Sequence, residues 1–256
     1  MYSIVRQLQN NINKLQKWAV ENGFTFSFTK TVCVHFCQRR GLHPDPELFI
    51  EEARIPVVGE TKFLGLIFDR KLSFLPHINY VKKKCQKALD LLKVVAHNNW
   101  GADHQVLLQL YQSLVLSKLD YGSMVYGSAR PSYIRWLNPI QNQGLRLSLG
   151  AFRTSPEVSL EVEAHQMPLD LRRQKLALQY AIKVAANPGN PAYKCVFEPD
   201  YVGLFERKPN AIPTFGIRIQ EQLQELSFDP TLIANFHYPE VPPWLCFPTV
   251  NLSLAE

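Results

Sequence analysis

Residues 60–97 read ETKFLGLIFDRKLSFLPHINYVKKKCQKALDLLKVVAH, and the period of their apolar positions changes partway along. From Phe63 to Phe68 the residues are apolar on both faces, the mark of a buried strand. Asp69-Arg70-Lys71 supplies a turn. Beyond it Ile78, Val81, Cys85, Ala88, Leu89, Leu92 and Val95 recur at helical spacing, while Lys82, Lys83, Lys84 and Lys87 fall off that stripe. A hydrophobic strand thus hands the chain directly to a basic helix. Gly65, inside the strand pattern, suits a bulge or the close approach of another backbone.

Upstream, Val5, Leu8, Ile12, Leu15 and Trp18 predict an amphipathic helix closed by Gly23. FTFSFTKTVCVHF then alternates with period two, setting Val32, Val34 and Phe36 against Cys33, His35 and Cys37, and predicts a strand lying on that helix. LFIEEARIPVV and TKFLGLIFD read as further short strands. Downstream of the basic helix, residues 102–122, 132–150 (interrupted by Pro139) and 168–187 carry helical patterns, so four helices with short connections predict a bundle. The last 66 residues hold 9 of the 18 prolines, which points to an extended connector with one short helix near 218–226. The fold class is α+β: a small antiparallel sheet with a helix over 1–72, a helical bundle over 73–190 and an irregular connector over 191–256.

The formal charge of +6 is unevenly placed. Residues 71–130 carry eight Lys and Arg against three acids, whereas residues 191–256 carry four against eight. A basic middle suits an anionic polymer as partner. Five cysteines without a regular framework favour a reducing compartment, and no apolar run approaches the roughly 20 residues that cross a bilayer. An intracellular, soluble, non-membrane protein is the expectation.

Chemistry-bearing patterns are sparse. Cys33, His35 and Cys37 have ligand-type side chains, but three alternate positions of one strand span about 13 Å and do not converge on one tetrahedral ion without a bulge. Neither a G-x-S-x-G elbow nor a Walker A or Rossmann glycine pattern occurs. Two-metal phosphoryl transfer needs converging carboxylates, and the chain has no Asp-Asp pair. Asp69 and Asp120 lie in strongly apolar contexts, where a turn or helix-end residue paired with a neighbouring cation is the simplest reading.

Four segments in order, NGFTFSFTKTVCVHF, TKFLGLIFDRKLSFLPHI, LLQLYQSLVLSKLDYGSMVYGSA and LRLSLGAFRTSPEVSLEVEAHQMPLDLRR, closely resemble the carboxy-terminal half of reverse transcriptases from jockey-like non-LTR retrotransposons. VPPWLCFPTVNLSL resembles the segment that precedes a ribonuclease H domain in longer members. The resemblance implies a palm remnant at 1–72, a thumb at 73–190 and a connector at 191–256. It matches Phe63, Leu64 and Gly65 to the primer grip, and Lys30 of FTKT to an accessory lysine near the leaving pyrophosphate. Lys82, Lys83, Lys84, Lys87 and Arg146 become candidate phosphate contacts, since such contacts position a duplex without reading its sequence.

The family's metal-binding aspartates match no residue here, because its aromatic-x-Asp-Asp turn falls upstream of the first helix. No complete catalytic set, metal site or cofactor is therefore expected in this chain, although the intact family enzyme uses Mg2+. The expected function is weak, sequence-independent binding of an RNA or DNA template-primer, with self-association through the exposed palm remnant. The rival readings are a non-catalytic helical interaction protein and a degenerate relic of the element. The arrangement of the four lysines and Arg146, gathered on one concave surface or scattered, separates binding from mere solubility.

Overall fold

The computed structural model describes residues 2–37, 44–97, 100–200, 202–207 and 212–234. VPPWLCFPTVNLSL lies outside them. The chain divides into two compact units, residues 1–174 and 175–256.

In the first unit, α1 (Tyr2–Glu21) packs on a two-stranded antiparallel ribbon, β1 (Phe49–Ile50) with β2 (Ala53–Arg54). The inward stripe of α1 differs from the one its apolar pattern predicts. Val5 and Ile12 meet a small cluster of Leu48, Ile50 and Ile55, and Ala19 is buried. Between them the Gln9 carboxamide donates to the Phe49 carbonyl and accepts from the Phe49 N–H, at 2.8 and 2.9 Å, so a polar side chain completes the edge of β1. Leu8, Leu15 and Trp18 stay exposed.

The strand expected over 24–37 does not form a ladder. Residues 27–31 make a turn in which Lys30 and Thr31 donate to the Ser27 carbonyl, and beyond it Cys33 alone bridges to Val57, in parallel. Alternating side chains create a strand only where a neighbouring backbone supplies partners, and here β1 and β2 pair with each other instead.

β3 (Glu60–Phe63) and β4 (Leu66–Asp69) form a second antiparallel hairpin. The Asp69 carboxylate ends it. It accepts the backbone N–H groups of Ser73 and Phe74 (3.1 and 2.8 Å) and the Ser73 hydroxyl, holding a turn in which Leu72 and Phe74 sit at positive φ. With Pro76 in its first turn, α2 (Leu75–Val95) starts there.

Helices follow over the three segments the sequence predicts, with two short unpredicted ones between them. α3 (His104–Tyr111) runs through a π-helical turn (Gln112–Leu116) into α4 (Ser117–Asp120). After short α5 (Ser123–Tyr126) come α6 (Pro131–Ile134), one 3-10 turn and α7 (Asn138–Leu149), whose first turn contains Pro139. α8 (Glu157–Glu163) and α9 (Leu169–Ala185) complete the run. α2, α3 and α7 pack on one another around Ile78, Leu89, Leu92, Tyr111 and Leu145. At about 1.5–3 kcal/mol for each fully buried large apolar side chain, this core of 22 buried residues far outweighs the three-residue cluster beneath α1. Gly144 lets α7 approach α3, because a Cβ there would sit 2.5 Å from the Tyr111 ring.

The second unit holds more order than its prolines suggest. α10 (Ala192–Phe197), α11 (Val202–Arg207) and α12 (Phe215–Glu225) occur where one helix is predicted. Val196, Ile219 and Leu223 share a small core with Ala181 and Val184 of α9.

Candidate nucleic-acid interface

The candidate grip is a hairpin tip. Leu64 and Gly65 both have positive φ, 46° and 83°, as a two-residue type I′ connection requires. The buried strand expected from Phe63 to Phe68 is therefore corrected: Phe63 is 62% exposed and Leu64 73%, because the chain reverses between them and Leu66. A leucine at positive φ on the surface is strained, and something must hold it. Tyr121, between α4 and α5, donates from its hydroxyl to the Leu64 carbonyl at 2.6 Å. Its ring lies where a Cβ on residue 65 would project, 3.0 Å away, so Gly65 serves both the turn and this contact.

The root of the hairpin is tied to α2. His77 is buried, and its Nδ1 accepts the Ile67 N–H at 3.3 Å. Burial pushes the His77 pKa down, so the ring is neutral with its proton on Nε2. The strand-to-helix passage is thus fixed at the tip by Tyr121, at the root by His77 and at the turn by Asp69.

An open groove of about 690 Å³ runs beside the hairpin, lined by Lys30, Val34, Phe36, Lys62, Phe63 and neighbouring side chains. It brings Lys30, the predicted accessory lysine, and Phe63, a candidate grip residue, to one surface. The α2 lysines are arranged differently. All four are exposed, but at 100° per residue Lys82, Lys83 and Lys84 fan through about 200°, and Lys87 falls near Lys83. Lys82 and Lys84 border the buried stripe: the first lies 6.0 Å from the Trp136 ring centroid, the second 4.8 Å from that of Tyr80. Lys83 and Lys87 face outward. Arg146 stands apart on α7, half-buried, with Nη2 donating to the Ser155 carbonyl at 3.1 Å.

Both carboxylates with apolar sequence surroundings have structural partners. Asp69 holds the turn before α2, and Asp120 accepts two hydrogen bonds from Arg172, at 2.7 and 2.6 Å. Near Cys33, the His35 ring and the Arg70 guanidinium both meet Asp45. Among the described residues no group of three His, Cys, Asp or Glu side chains could share a metal ion.

Sequence reasoning passed over Tyr121, His77, Lys62 and Tyr80. Tyr80, His77 and Lys84 are one helical turn apart, a spacing visible in the sequence; the reach of Lys62 and Tyr121 to the hairpin is not.

With this geometry in view, the chain is similar to the polymerase proteins of non-LTR retrotransposons. It is 25% identical over 179 residues to a retrovirus-related Pol polyprotein from type-1 retrotransposable element R1 of Bradysia coprophila, a match covering 68% of this chain and 18% of the relative. It is 26% identical over 149 residues to a probable RNA-directed DNA polymerase from transposon X-element of Drosophila melanogaster (56% and 16%). Against the RNA-directed DNA polymerase from mobile element jockey of Drosophila funebris the identity is 23% over 189 residues (72% and 20%). The chain spans about a fifth of the length of these curated relatives. No family profile and no solved structure matches it.

Proposed function

We propose that this chain is the grip-and-thumb part of a retrotransposon reverse transcriptase, and that it holds a template-primer without itself catalysing polymerisation. The α2 lysines and Arg146 are scattered, which favours mere solubility for that set. The reading is carried by another observation: an exposed apolar hairpin tip, held by Tyr121 and His77, stands beside a groove that presents both Lys30 and Lys62. Such an arrangement supports the reading by offering apolar and cationic groups to a primer strand's backbone rather than to its bases. The similarity to proteins named as RNA-directed DNA polymerases supports the same role.

Among the described residues no three His, Cys, Asp or Glu side chains come together to hold a metal ion, which supports the reading that this part of the chain does not itself hold the Mg2+ of the intact family enzyme. Two-metal chemistry needs carboxylates free to converge, whereas Asp69 and Asp120 already hold a turn and an arginine. Palm (1–72), thumb (73–190) and connector (191–256) remain the proposed functional parts. The test pairs fluorescence anisotropy on a primed RNA–DNA hybrid with a primer-extension assay in Mg2+ or Mn2+. Salt-sensitive binding without extension is expected. Absence of binding overturns the holding role, and template-dependent extension overturns the inactive one.

A second reading has its own observation. Ile4, Leu8, Leu15 and Trp18 expose an apolar face along α1, which supports self-association through the palm remnant. Sedimentation velocity on wild type and on L8E/L15E tests it; a monomer at all concentrations for both proteins removes it.

A further inference from the structure

Two ammonium groups converge on one phenol at the root of the hairpin. Lys62 Nζ donates to Tyr80 Oη at 2.8 Å and lies 4.8 Å from the ring centroid, and Lys84 Nζ lies 4.8 Å from the same centroid. Neither lysine enters an ion pair among the described residues. Short links put them there. Lys62 pairs across the hairpin with Ile67, Ile67 donates to His77, and Tyr80 and Lys84 follow His77 at successive helical turns.

Two like charges gathered at one phenol, neither in an ion pair among the described residues, leave the cluster short of an anion. Its donors suit one. The Tyr80 oxygen accepts from Lys62, which leaves the hydroxyl proton for another acceptor, and two ammonium groups stand beside it. The hydrogen bond from Lys62, and then the neighbouring Lys84 ammonium, hold the phenol pKa below its usual range, which makes its O–H a stronger donor. A tetrahedral oxyanion offers several acceptor oxygens to such a set. Continuity with the groove argues for a polymer rather than a small ion, because Lys62 also lines that groove together with Lys30, Phe36 and Phe63.

We propose that Lys62, Tyr80 and Lys84 form a seat for one backbone phosphate of a bound nucleic-acid strand, joining the hairpin to α2 across the strand's path. The source of the phosphate rests on the proposed function; the seat itself rests on the geometry.

The test has two arms on the full chain. In the first, inorganic phosphate is titrated while the side-chain ammonium signals of the lysines and the Tyr80 ring are followed by NMR. Saturable shifts at Lys62, Lys84 and Tyr80, with Lys83 and Lys87 unmoved, are expected, and no saturable shift at these three overturns the seat. In the second, binding of a primed RNA–DNA hybrid is measured against salt. K62Q/K84Q is expected to weaken binding about tenfold at low salt and to lower the salt slope by about one, on unrelated sequences alike. Y80F should weaken it severalfold at unchanged slope, because it removes a donor and no charge. K62Q/K84Q indistinguishable from wild type in affinity and slope overturns the nucleic-acid seat. A wild type that binds phosphate but no hybrid overturns the proposed function and reassigns the seat to a free phosphate.

Discussion

The Tyr121 hydroxyl donates a 2.6 Å hydrogen bond to the carbonyl oxygen of Leu64, a residue 57 positions earlier in the chain. That bond crosses from the helical layer to the tip of the hairpin, and with the Ile67 to His77 bond it fixes the angle at which Phe63 and Leu64 meet solvent. Tyr121→Phe is expected to cost about 1 kcal/mol at most in urea denaturation, since the bond is partly exposed. Gly65→Ala should cost more, because it adds strain at positive φ to a close contact with the Tyr121 ring. Equal stability of wild type and Gly65→Ala would refute this description of the tip.

His77 gives the hairpin root a pH dependence of known sign. Its folded pKa lies below the ordinary 6.5, so the unfolded chain binds the extra proton first as pH falls. Its contribution is full above about pH 6.5 and is lost as pH drops from 6.5 toward the folded value. In His77→Asn, where the side-chain carbonyl can still accept from Ile67, that part of the acid destabilisation should disappear. Urea midpoints from pH 7.5 to 5 check this, and parallel curves for the two proteins would exclude it.

Asp120 and Arg172 form a bidentate pair with side chains 23% and 29% exposed. Removing one partner strands the other in a partly buried site, so Asp120→Asn should destabilise the first unit by about 1–3 kcal/mol. Arg172→Lys should not restore the loss, because an ammonium cannot reproduce the planar two-bond contact. Thermal unfolding of the two variants decides it.

The region around α1 and β1 should open before the helices. Its cluster buries three large side chains, and the extended segment 32–37 makes few backbone bonds to its neighbours. Hydrogen exchange at a concentration where the chain is monomeric is expected to be faster over 24–58 than in α2 and α7; the reverse order would contradict the packing described here.

The order of elements was legible in the sequence because it depends on local periods and punctuation. The apolar stripe of α2, the start of α9 after Pro168 and the proline in the first turn of α7 all follow from spacing and missing N–H groups. So did the resemblance to retrotransposon polymerases, carried by ordered motifs, whereas the exposure of Phe63 and Leu64 at a hairpin tip did not, because it depends on where the chain reverses. What tertiary structure alone decided concerns which partners a backbone finds. Residues 24–37 alternate like a strand, yet among the described residues only Cys33 forms a β-bridge to a neighbouring segment, at Val57. On α1 the inward positions include Gln9 and Gln16 rather than Leu8 and Leu15, because Phe49 of β1 and Glu51 just after it present backbone groups there that amides can satisfy. Four lysines close in sequence point in different directions on a helix. Lys62, distant from them in the chain, joins Lys84 at Tyr80 only because the hairpin folds back on α2. Composition and period fix what a segment can become, while the meeting of charges from separate elements depends on the chain's path through space.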